Sequence, residues 1–93
     1  SRAVQNFPQE SAELLNAQVN MELYAAYSYF AMANYCTQDD VALPGLACFF
    51  TKSYKEELEH ANMLSTYLLK RGGTLTCSDV KAPPHVIIIH IFF

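Results

Sequence analysis

Glu57 and His60 stand three residues apart in Lys55-Glu56-Glu57-Leu58-Glu59-His60. On a helix that spacing puts both on one face, one turn apart. Steps of three and four through the pair give Leu46, Phe50, Ser53, Glu57, His60, Leu64 and Tyr67, a face that is otherwise mostly apolar. A carboxylate in such a face is costly unless it is paired or binds a metal. A Glu-x-x-His pair turned into a helical bundle is half of a di-iron carboxylate centre. Taken alone, the pair also fits a solvated charged face, because Lys55, Glu56 and Glu59 surround it.

A second stretch decides between these readings. From about Pro8 to Cys36 the chain has no further Gly or Pro, and its three-four stripe is Ala12, Leu15, Val19, Glu22, Ala26, Tyr29, Ala33. Such a run predicts a helix over about 8–36, roughly 42 Å long at 1.5 Å per residue. Asn6 can cap it, with Pro8 tolerated in the first turn and Glu10 favourable at the positive end. Ala26 and Ala33 allow a close neighbour. Glu22 is the one charge in the stripe.

Thr37-Gln38-Asp39-Asp40 reads as a polar turn, and a second helix is expected over about 44–71. Pro44 suits its first turn, Lys70 and Arg71 its negative end, and Gly72 or Gly73 its left-handed stop. Two helices of similar length joined by a short turn pack antiparallel. Counting along both places Glu22 beside Glu57 and His60 at mid-height. Two stripes broken at one height favour the metal reading. Beyond the glycines, residues 74–84 read as an extended segment ending in the linker Lys81-Ala82-Pro83-Pro84.

Composition narrows the function classes. The chain has 93 residues, 52% of them hydrophobic and 16% charged, so one small domain with part of its surface covered by something else is expected. A net charge of -3 and no basic stripe argue against nucleic acid. No apolar run reaches the ~18–20 residues of a membrane span. Three cysteines without a Cys-x-x-Cys pair fit a reduced, cytoplasmic setting better than a disulfide framework. Cys36, Cys48 and Cys77 are expected to be structural or incidental, and His85 and His90 have no metal spacing. The apolar, β-branched tail 85–93 has the composition of an aggregation-prone segment unrelated to what precedes it.

With both helices laid out, the sequence resembles eukaryotic ferritin, the H-type (ferroxidase) subunit in particular. The residues that carry the likeness are Asn20-Met21-Glu22-Leu23-Tyr24-Ala25 with Tyr29, Asp39-Asp40-Val41-Ala42-Leu43, Glu56-Glu57-Leu58-Glu59-His60-Ala61, and Arg71-Gly72-Gly73. They spread over roughly residues 4–84 and are specific in combination. The resemblance implies an all-α fold, the antiparallel first half of a ferritin-like four-helix bundle, with residues 1–84 as a partial di-iron domain.

It also implies residue roles. Glu22 and His60 correspond to ligands of the first iron, Glu57 to the carboxylate bridging two irons, and Tyr29 to a tyrosine hydrogen-bonded within the centre. Glu56 corresponds to a carboxylate that moves iron toward the cavity, and Glu59 to one that nucleates mineral. Asn62 departs from the family pattern, in which an acidic residue is common one turn after Glu59.

The implied function is storage of iron, oxidised from Fe²⁺ to Fe³⁺ by dioxygen at a centre of two irons. The implied partners are other subunits, in a cage of 24 in intact members. The helices that complete the centre in the family are missing from these residues, so a truncated product with little ferroxidase activity of its own is expected. The alternative is a non-catalytic fragment that associates with full-length subunits. A third reading is another ferritin-like family, marked by Glu-x-x-His in both halves. By face-counting, the isolated hairpin is expected to self-associate, pair with intact subunits or aggregate, and removal of residues 85–93 to lessen aggregation.

Overall fold

A computed structural model of the chain describes residues 7–84. Asn6 as a cap and the apolar tail 85–93 lie outside the described residues. Two long helices form a hairpin: α1 spans Gln9–Thr37 and α2 spans Pro44–Lys70, with no strand among the described residues. Both agree with the expected bounds to within one residue. Pro8 precedes α1 in the N-cap position and caps through its carbonyl, which accepts from the amides of Ser11 and Ala12. No side chain caps either helix start.

The connecting turn runs from Gln38 to Leu43. Its Gln38 carbonyl accepts from the amides of Val41 and Ala42, and the Leu43 amide reaches back to the Cys36 carbonyl. Ala42 takes a left-handed φ of 46°, a conformation that alanine pays for. At the far end of α2, Gly72 has φ 86°. The Gly72 amide donates to Leu69 O and the Gly73 amide to Leu68 O, which is a Schellman closure.

Gly72→Ala should cost about 1 kcal/mol by forcing a Cβ into that left-handed region. Gly73→Ala acts differently, since its Cβ would lie 2.5 Å from Leu68 Cδ1 and 3.3 Å from Leu68 O. Leu68 is completely buried, so the methyl displaces a core side chain. Thermal melts of the two variants check this: both midpoints should fall below that of the parent chain.

The seam between the helices is narrow and rich in small residues. Val19, Ala26, Ala33 and Cys36 from α1 meet Phe50, Ala61 and Leu68 from α2. Spacings of seven between buried partners are those of coiled-coil-like packing, and the alanines let the backbones approach. Near the turn, Phe50 packs with Ala33 and Cys36, and Tyr29, Met32, Leu43 and Ala47 surround them.

On α2 this seam corrects the expected core face. Leu46, His60 and Tyr67 are exposed, and the buried line runs instead through Phe50, Ala61 and Leu68, with Glu57 half-buried beside it. The pattern of three-four steps joined two neighbouring lines of the helix, and only one faces α1.

Residues 74–80 form neither helix nor strand and run along α1. Asn16 holds them with both ends of its amide, donating to Thr74 O at 3.0 Å and accepting from the Thr76 amide at 2.7 Å. One turn on, the Asn20 amide donates to Asp79 O at 3.2 Å. Phe7 lies edge-on to Tyr67 and under the Arg71 guanidinium, 5.4 Å from its ring centroid.

Candidate metal centre

Antiparallel packing puts the middle of α1 opposite the middle of α2, and the two mid-helix acids meet there. His60 Nδ1 lies 3.5 Å from Glu57 Oε2 and 3.8 Å from Glu22 Oε2. One ligand atom from each of Glu22, Glu57 and His60 can be chosen so that all three lie within 4.8 Å of one another. Among the described residues this is the one group of three or more His, Cys, Asp or Glu side chains so arranged.

Burial within the triad is graded. Glu22 and Glu57 are half-buried against the seam, while the His60 side chain is 54% exposed on the open side of the hairpin. Glu57 Oε2 is fully buried and has no hydrogen-bond partner. The His60 contact at 3.5 Å is an electrostatic neighbour without hydrogen-bond geometry. An orphaned, buried carboxylate oxygen at the seam is what a cation would satisfy.

The two carboxyls shift apart. Glu57 lies above the ordinary glutamate range, raised first by the neighbouring Glu22 carboxyl, then by burial and by the Glu22 charge. Glu22 lies below it, lowered first by Glu57 and then by the Gln18 amide. Gln18 Nε2 donates to Glu22 Oε1 at 2.9 Å, which leaves Oε2 toward His60. Sequence reading missed Gln18, although its signal was present: a polar residue one turn before the one acid of the stripe.

The donor set is two carboxylates and an imidazole, which suits Fe²⁺ or Zn²⁺ better than soft ions. It opens on a groove of about 420 Å³ lined by Gln18, Glu22, His60, Met63, Leu64 and Tyr67. A larger hollow of about 690 Å³ at the turn, between Cys36, Pro44, Cys48 and Lys55, has no carboxylate or imidazole in its wall.

The other expected site residues lie outside the triad. Tyr29 stacks on Phe50, with centroids 6.2 Å apart, in the apolar cluster nearer the turn. Glu56 and Glu59 are exposed on α2. Of the cysteines, Cys36 is buried, and Cys48 and Cys77 are exposed and free. No helix among the described residues is long and apolar enough to cross a membrane.

Fold and site together define an antiparallel helical hairpin that brings a Glu from one helix and a Glu-x-x-His pair from the other close enough to hold a metal ion. The sequence matches the ferritin family, described as a Ferritin-like domain, over residues 12–90, and the chain belongs to that family. It is 52% identical over 83 residues to a soma ferritin of Lymnaea stagnalis, covering 89% of this chain and 48% of that protein. To a ferritin heavy chain of Echinococcus granulosus it is 48% identical over 79 residues, 85% of this chain and 46% of the relative. To a ferritin middle subunit of Salmo salar it is 43% identical over 83 residues, 89% and 47% respectively. The chain thus spans about half the length of these relatives.

Proposed function

We propose that this chain serves iron storage as the metal-gathering half of a ferritin subunit, with Glu22 and His60 holding one Fe²⁺ and Glu57 shared with a second. The observation that carries the reading is the fully buried, partnerless Glu57 Oε2 beside Glu22 and His60. Three donors from two helices fix a cation at the seam, and the open groove leaves room for the remaining ligands. The chemistry served is oxidation of Fe²⁺ by dioxygen, for which this chain's own residues bind and position the substrate ion. Gln18 keeps the Glu22 carboxylate oriented.

Glu56 and Glu59 are read as surface carboxylates that pass iron onward and nucleate ferric oxide, and Tyr29 as a hydrogen-bonding neighbour of the centre. Family membership and the identities reported above support these roles. The same support extends to assembly with other ferritin subunits in a cytoplasmic cage.

The test is a metal titration under anaerobic conditions. His60→Ala should weaken Fe²⁺ or Zn²⁺ binding by roughly tenfold or more. Identical isotherms for the altered and parent chains would remove the basis of this reading.

A further inference from the structure

The two carboxylates of the triad are held differently by their own helices. One turn before Glu22, the Gln18 side chain donates from Nε2 to Glu22 Oε1 at 2.9 Å, while Glu22 Oε2 lies 3.8 Å from His60 Nδ1. One turn before Glu57 stands Ser53, whose hydroxyl donates instead to the Phe49 carbonyl at 3.0 Å. Glu57 receives no such bond, and its Oε2 is buried without a partner. One acid has an oxygen tied along its helix, and the other has an oxygen left open.

We infer that Gln18 is a specificity-determining residue of the centre: by occupying Glu22 Oε1 it leaves Oε2 alone to face a cation. The inference rests on the metal-centre reading above and adds which divalent ions that centre prefers. A carboxylate offering one oxygen suits a small ion of low coordination number. One offering both suits a large ion that gathers about six to eight oxygens. Zn²⁺ belongs to the first kind and Ca²⁺ to the second.

Direction explains how Gln18 can do this. Side chains four apart on a helix lie one above the other, so the amide draws Oε1 along the axis of α1. Oε2 is left on the side of α2, where His60 stands. A cation seated between Oε2, Glu57 and His60 would reach Oε1 only if the carboxylate turned and gave up its hydrogen bond. Hydrogen bonds to a charged group are stronger than neutral ones, so that turn is resisted. Met63 and Leu64, in the same groove wall, have no donor to replace the amide.

The same helix carries its own comparison. Gln9 and Glu13 repeat the spacing nearer the start of α1, with 3.4 Å between Nε2 and Oε1 and outside the triad. That pair supports the helix without facing a metal site.

Displacement of bound Zn²⁺ by Ca²⁺ from the 93-residue chain tests the inference. The ratio of the two affinities cancels whatever lowers both alike, including competition by protons and a general loosening of α1. Gln18 is exposed, and Gln18→Met keeps its length and helix propensity while removing the donor. The preference for Zn²⁺ over Ca²⁺ should fall by about three- to tenfold, the size of one partly solvated hydrogen bond. Gln18→Lys restores a donor at similar reach and should return the preference to within about twofold of the parent, although its charge weakens both ions. Gln9→Met should leave the preference as it was. Helicity by circular dichroism should be the same in all three.

An unchanged preference in Gln18→Met overturns the inference. So does an equal loss in Gln9→Met, or a Gln18→Lys chain as unselective as Gln18→Met. The two readings fail separately. Zn²⁺ binding that His60→Ala weakens, with a preference indifferent to Gln18→Met, sinks the role of Gln18 alone. Zn²⁺ binding indifferent to His60→Ala sinks the metal centre itself.

Discussion

Phe50→Ala should unfold most of the hairpin at room temperature. Phe50 is 2% exposed and is among the largest fully buried side chains of the molecule. It stacks on Tyr29 and meets Phe49 edge-on with centroids 5.5 Å apart, filling the space between Ala33, Cys36 and Leu43. Truncating a buried Phe costs about 3–5 kcal/mol, transfer and cavity together. A small domain has only about 5 kcal/mol at the low end of the usual range, and this one buries few large side chains. The neighbouring Phe49→Ala makes the control. Phe49 is 59% exposed, so its loss should cost less than about 1 kcal/mol. Equal shifts of the two denaturation midpoints would show that the seam does not run through Phe50.

Glu57→Gln should change binding and stability in opposite directions. The variant keeps the shape of the side chain and removes the charge that a cation needs, so Zn²⁺ affinity should fall by about a hundredfold. Without metal, the same change should raise stability. The folded carboxyl of Glu57 is raised above its unfolded value, by Glu22 first and by burial second. For an acid with a raised folded value, ionisation costs the fold stability once pH climbs through the unfolded value of about 4.3. At pH 7 that cost is present, and a neutral amide escapes it. The melting midpoint of the metal-free variant should therefore lie above that of the parent at pH 7, with the difference shrinking as the pH falls toward 4. A metal-free variant that melts below the parent would mean that Glu57 is held for structural reasons. The expected result is the trade of a residue kept for chemistry at the expense of the fold.

Much of this was legible before any coordinates. The run without Gly or Pro from Gln9 to Thr37, the Pro44 start and the Gly72-Gly73 stop predict both helices almost to the residue. The reason is local. Helix limits depend on residues that cannot continue the backbone or that release it cheaply into the left-handed region. Equal lengths and a short turn then dictate an antiparallel pair, and counting alone brings Glu22 to the height of Glu57 and His60. The 3.8 Å contact between Glu22 and His60 is the outcome of that count.

What the tertiary structure decided is which line of α2 lies inside. Phe50, Ala61 and Leu68 form one line, and Leu46, His60 and Tyr67 another beside it. Both are apolar enough for a core. With 3.6 residues per turn, a path stepped by three and four slides from one to the other within a few turns. Packing against α1 chose the first line, in which the buried Ala61, like Ala26 and Ala33 on α1, is small enough to let the backbones approach. His60 was thereby left on the open side while Glu57 stayed at the seam. The same limit hid the Asn16 and Asn20 ties to residues 74–79 and the left-handed Ala42. Those depend on partners about sixty residues away or on a turn whose ends two helices hold in place, and no local pattern of residue types encodes either.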